Sequence, residues 1–134
     1  MARILVAEDD TNVRAFVVRA LEMHGHSVTE AEDGGLALEI CQQQAGAFDL
    51  LLSDIKMPVM DGIALALSVG ASFPDLTIVL MTGFADQRER AHGLEALVYD
   101  VMPKPFSLAQ LLEKVDDALN GRPAEIIPLA RSAL

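Results

Sequence analysis

Residues 50–62 read LLLSDIKMPVMDG. Three consecutive leucines make a run too short for a helix, and the absence of apolar–polar alternation predicts a strand buried on both faces. Such strands are the inner members of parallel sheets covered by helices. The run delivers a single carboxylate, Asp54, and a turn built on Pro58 follows it. A carboxylate carried out of so apolar a strand is costly to desolvate unless something pairs with it. In open parallel sheets, ligand sites lie beyond the carboxyl ends of the strands, which is where Asp54 falls.

The same rhythm extends in both directions. Ile4–Ala7 is a short apolar run ending in Glu8-Asp9-Asp10, and residues 11–24 put Val13, Phe16, Val17, Ala20 and Leu21 on one helical side. Gly25 is a natural stop, 27–31 reads as a second strand, and Asp33-Gly34-Gly35 opens a helix to about Gln43. With 49–53 as the third strand, a helix over 62–72 follows, then the turn Phe73-Pro74-Asp75 and a fourth strand over 77–81 that ends at Thr82-Gly83. A charged fourth helix spans 85–94, and a fifth strand over 98–102 is broken by Pro103-Lys104-Pro105. Ser107 and Gln110 form a capping-box pair ahead of a helix with Leu108, Leu111, Leu112, Val115 and Leu119 on one face, closed by Asn120-Gly121.

Five strands alternating with five helices imply right-handed crossovers and a doubly wound α/β domain. Its expected extent is 1–120, with 121–134 a flexible tail too short for an effector domain. No apolar run among the 134 residues approaches the roughly 20 needed for a membrane span, and with no charged-then-apolar pattern in the opening residues no export signal is expected. The single cysteine, Cys41, excludes an internal disulfide. The expectation is a cytoplasmic protein that engages neither membrane nor, at a net charge of −10, nucleic acid.

The predicted strand ends bring together Glu8 and Asp9, Asp54, Thr82 and Lys104. Singly, each has a plainer reading: an acid at a strand end is commonly a cap or turn residue, and Asp10 suits the start of the first helix. Jointly they describe one pocket. Clustered carboxylates repel, a hard divalent cation relieves the repulsion, and an ammonium beside a nucleophilic carboxylate suits phosphoryl transfer. The expected chemistry is a Mg²⁺-assisted aspartyl phosphate on Asp54.

ILVAEDD, LLLSDIKMPVMDG, VLMTG and PKPF, in that order over Arg3 to Leu119, resemble the receiver domain of two-component response regulators, the CheY-like family. The resemblance implies the strand order 2-1-3-4-5. It also implies phosphoryl acceptance at Asp54 from a histidine kinase or histidine phosphotransfer protein, with Mg²⁺ held by Glu8, Asp9, Asp54 and the Lys56 backbone carbonyl. It gives Thr82 the role of switch hydroxyl and Lys104 that of phosphoryl partner, with a cis bond to Pro105. Glu8 stands where Asp is usual, and Val101 where an aromatic switch residue is usual; Tyr99, two residues earlier, is expected on the same side of its strand. Output is expected as altered binding of a downstream protein at the face formed by the fourth helix, fifth strand and fifth helix, through Phe84, Arg88, Arg90, Tyr99, Val101 and Gln110.

Within that family, the MARILVAEDD, MTGFA and KPF neighbourhoods look most like the single-domain CpdR type, linked to phosphorelays and to adaptor action for the ClpXP protease. The alternative output is a shuttle between histidine proteins with no effector. Neither makes the chain an enzyme acting on external substrates. An aspartyl-nucleophile phosphatase would carry a second acid where Lys56 stands, and a flavodoxin-like flavin binder would not place Glu8-Asp9-Asp10 against a phosphate. His24 and His26 read as turn residues around Gly25, His92 as solvent-facing, Cys41 as core, and Met57, Met60, Met81 and Met102 as packing.

Overall fold

Leu50, Leu51 and Leu52 lie at the centre of the molecule, with no exposed surface. They belong to β3 (Leu50–Asp54), flanked by β1 (Arg3–Ala7) and β4 (Thr77–Thr82), with β2 (Ser27–Ala31) and β5 (Asp100–Pro103) at the edges. The order is β2-β1-β3-β4-β5, and every neighbouring pair is parallel. The computed structural model describes residues 1–83, 93–94 and 96–121. Among these, four helices connect or follow the strands: α1 (Thr11–Met23), α2 (Gly34–Gln43), α3 (Gly62–Ser72) and α4 (Leu108–Leu119).

Because side chains alternate across a strand, the sheet builds two separate cores. Leu5, Leu51, Ile78 and Leu80 point to one side and pack with Ala37 and Cys41 of α2 and Leu65, Ala66 and Val69 of α3. Ile4, Val6, Leu50, Leu52, Val79 and Met81 point to the other and pack with Val17 and Leu21 of α1 and Leu111 and Val115 of α4. Both faces of β3 are therefore covered, the physical content of its unbroken apolar run.

Each described helix opens on a side-chain cap. Asp10 accepts the Asn12 and Val13 amides, Asp33 that of Leu36, and Asp61 that of Ala64. Ser107 and Gln110 form the complete reciprocal box expected from their spacing. Ser107→Ala leaves the Gln110 amide without its side-chain acceptor at an exposed helix start. It should cost about 1 kcal/mol, measurable as a lower urea midpoint at unchanged slope.

Several details differ from the sequence reading. β5 begins at Asp100 and runs to Pro103, which an edge strand tolerates because its outer side needs no ladder donor. Since the pleat starts only at Asp100, alternation does not reach back to Tyr99. Tyr99 packs against the α1–α4 core, whereas Val101 packs against the α2–α3 core. The expectation that the two share a side is corrected on that ground. Phe16, assigned to the buried stripe of α1, is 43% exposed because it sits at the stripe's rim, its ring 6.4 Å from that of Phe106. Leu108, in the first turn of α4, is likewise half exposed. The expected helix over 85–94 lies outside the described residues in all but its last two positions, and with it Phe84, Arg88, Arg90 and His92; so does the tail from Arg122.

Candidate functional site

The carboxyl ends of β1, β3 and β4 and the segment after β5 meet at one edge of the sheet. Glu8 and Asp9 follow directly on β1; the Glu8 amide donates to the Ala31 carbonyl at 3.1 Å, tying the strand end to β2. Asp54 is the last residue of β3, and its Oδ1 accepts the Ile55 amide at 3.0 Å. Thr82 ends β4 and is buried; its carbonyl accepts the Lys104 amide at 2.8 Å, which draws the residue after β5 into the same edge. The Lys104–Pro105 bond is cis.

Gly62 sets how closely α3 approaches. A Cβ there would lie 2.1 Å from the Asp54 carbonyl oxygen and 2.9 Å from the Ile55 Cα, so only glycine lets the helix start this near the strand end. The Gly62 amide completes the contact, donating to the Ile55 carbonyl at 2.7 Å.

The charges are concentrated. Glu8, Asp9 and Asp54 each offer a carboxylate oxygen within 4.8 Å of the others. The Lys104 ammonium lies 2.6 Å from Glu8 Oε1 and 3.3 Å from Asp54 Oδ2, while Glu8 Oε2 accepts the Asp10 amide at 3.2 Å. Glu8 has no exposed surface, and burial pushes its carboxyl up to about 7, against the pull of the Lys104 hydrogen bond. Burial raises Asp54 as well, opposed chiefly by the Lys104 charge. For Lys104, burial alone would lower the ammonium, but its hydrogen bond to Glu8 and the Asp54 charge outweigh it and hold the proton more firmly than usual. One ammonium among three carboxylates leaves the pocket short of positive charge.

Those donors suit a hard divalent cation. They are oxygens, clustered within a few ångströms, from a buried pair and an exposed third residue, and Mg²⁺ takes a few carboxylates together with waters. Lys56 follows in the β3–α3 loop with its side chain exposed.

Beside Lys104 runs an apolar groove of about 570 Å³ lined by Asn12, Val13, Phe16, Gly83, Pro105 and Phe106. The sequence reading did not foresee it; the exposed Phe16 and the half-buried Phe106 become neighbours only once α1 and the β5–α4 connection are side by side. Of the expected output residues, Tyr99, Val101 and Gln110 are described. Tyr99 and Val101 are half-buried, and the Gln110 side chain is committed to the cap of α4, accepting the Ser107 amide at 2.8 Å. His24 caps the end of α1 and lies 3.4 Å from Asp116, and Cys41 is buried in the α2–α3 core, as read.

Residues 4–116 match the family model for the response regulator receiver domain. The chain is 42% identical, over 89% of its length and 98% of the relative's, to the response regulator receiver protein CpdR of Brucella abortus. It is 36% identical to the sensor kinase CckA of the same organism, matching 88% of this chain but only 12% of the kinase. Among solved structures, chemotaxis response regulator CheY4 of Vibrio cholerae superposes with a TM-score of 0.79 at 28% identity, covering 88% of this chain and 98% of CheY4. With the sheet order, the acidic edge and these matches agreeing, this chain belongs to the response regulator receiver domain family.

Proposed function

We propose that this chain is a Mg²⁺-dependent phosphoryl acceptor in a two-component phosphorelay, that Asp54 is the acceptor, and that its phosphorylation state switches binding to another protein. The observation that carries the reading is the Asp54 carboxylate at a strand end, clustered with Glu8 and Asp9 and 3.3 Å from the Lys104 ammonium. Receiver domains are signalling domains that bind Mg²⁺ at an acidic pocket and receive phosphoryl groups from histidine kinases or phosphotransfer proteins. Glu8, Asp9, Asp54 and the Lys56 carbonyl would hold the cation, which when bound neutralises the carboxylates and the phosphoryl oxygens.

In the transfer, an Asp54 carboxylate oxygen attacks phosphorus while the bond to the donor's imidazole nitrogen breaks. The bonding pair stays on that nitrogen, so charge is conserved without an added oxidant or acid. Lys104 leaves Glu8 to pair with the new phosphoryl oxygens, and Thr82 turns its hydroxyl toward them. The added charge of about −1.5 to −2 can shift the domain only through such differential contacts. The apolar groove at Phe16 and Phe106, opening beside Lys104, gives a helical phosphodonor protein a place to seat.

The similarity to CpdR favours control of a partner protein as the output, with adaptor action toward the ClpXP protease as the specific form. Passage of the phosphoryl group onward between histidine proteins is the competing form. We place the domain at 1–120, with 121–134 as an appended tail. Incubation with acetyl phosphate followed by intact-mass measurement tests the core of the reading. A phosphoryl adduct that requires Mg²⁺ is expected; no adduct in the presence of Mg²⁺ would exclude acceptor function.

A further inference from the structure

We infer that the first turn of α2, through Gly34, is a positioning element for the loop that carries the Lys56 carbonyl; this rests on the metal-binding role proposed for that carbonyl. The β3–α3 loop contains a strained residue. The Met60 amide donates to the Pro58 carbonyl at 2.8 Å, and Val59 between them has φ of 70°. That is a γ-turn of the rare positive-φ kind, and a β-branched residue there is an outlier. Val59 is 86% exposed, so its own side chain gains no burial to offset the strain. Such a conformation persists only where the surroundings hold it.

The holding contact comes from α2. A Cβ on Gly34 would lie 2.0 Å from the Met60 carbonyl oxygen and 2.9 Å from its carbon, so the helix backbone rests directly on the Met60 peptide. Asp33 fixes that turn by accepting the Leu36 amide at 2.8 Å. The loop is thus gripped twice, by Gly62 against the Asp54 carbonyl and by Gly34 against that of Met60. Lys56 sits between the grips. A methyl at Gly34 must displace peptide backbone, and the displacement is passed along the few residues back to Lys56. The adjacent Gly35 differs in kind: a Cβ there would meet side-chain atoms, Val59 Cγ1 at 2.8 Å and the capping Asp33 Oδ1 at 3.2 Å, and no peptide backbone, so the neighbours can give by small side-chain rotations.

The test is Mg²⁺ binding by calorimetry at a temperature well below unfolding, alongside thermal denaturation without metal. Gly34→Ala should weaken Mg²⁺ binding on the order of tenfold, the scale seen when an outer-shell support is lost, whereas Gly35→Ala should bind like wild type. Val59→Gly, which frees the strained turn, should raise the melting temperature yet weaken Mg²⁺ binding. Stability and affinity moving in opposite directions is a result that a merely structural role would not give. Equal affinity in wild type and Gly34→Ala, or equal losses in both glycine variants, overturns the inference alone. If Gly34→Ala does not fold, unchanged affinity in Val59→Gly overturns it instead. A wild-type protein that binds no Mg²⁺ overturns both this inference and the reading beneath it.

Discussion

Asp54→Asn should accept no phosphoryl group from acetyl phosphate, at any Mg²⁺ concentration, while folding as well as or better than wild type. The reason lies in how the three acids of the pocket divide its work. Glu8 has no exposed surface, and both its oxygens are engaged, one by Lys104 and one by the Asp10 amide. Asp54 has one oxygen on the Ile55 amide and keeps the other 3.3 Å from Lys104, where an ammonium can meet the oxygens of an incoming phosphoryl group. The amide of Asn has the same shape but lacks the nucleophilic charge, so in-line attack is lost outright. It also removes a carboxylate whose ionisation burial already opposes, so the metal-free variant should melt at a higher temperature than wild type. Intact mass and thermal denaturation on the same samples read both effects. An adduct surviving in Asp54→Asn would move the acceptor role to Glu8 or Asp9.

The fold was legible because its decisive signals are local. An unalternating leucine run predicts an inner parallel strand, and Asp10, Ser107 and Gln110 act through neighbours two or three residues away, so spacing alone exposes them. The acidic pocket was legible for a different reason. Once parallel strands are inferred, their carboxyl ends must share an edge, and Glu8, Asp9, Asp54 and Lys104 then converge without any knowledge of distances. What sequence could not supply is competition among those groups. Lys104 lies nearer to Glu8 than to Asp54, and nothing in the spacing of residues 8, 54 and 104 says so. The Phe16–Phe106 groove and the Gly34–Met60 contact are products of packing between elements distant in sequence. Only the glycine pair at 34–35 hinted at the latter, since consecutive glycines at a helix start are poor helix formers and imply that something comes close. Tyr99 was misread because alternation was extended one residue beyond the strand that enforces it.

Glu8 makes the metal-free domain lose stability as pH rises. Its carboxyl, ordinarily near 4.5, stands at about 7 in the folded protein because burial disfavours the charged form more than Lys104 favours it. A group that binds its proton more tightly when folded contributes stability that is fully present below the unfolded value, near 4.5. That contribution disappears as pH climbs through about 7. A displacement of this size corresponds to on the order of 3 kcal/mol between those limits. Glu8→Gln holds a neutral group of similar shape and cannot titrate, so its stability should be flatter over the same window. The difference between the two proteins in urea unfolding should swing by about that amount toward the variant from pH 4.5 to pH 8. Mg²⁺ added at pH 8 should restore much of the wild-type loss, because a ligand bound only by the folded state stabilises it by mass action. The variant, lacking one carboxylate, should respond less. Curves that stay parallel across the whole range would show instead that Lys104 keeps Glu8 ionised throughout. The pocket would then rest with its ion pair closed, and Mg²⁺ binding would have to open it rather than displace a proton.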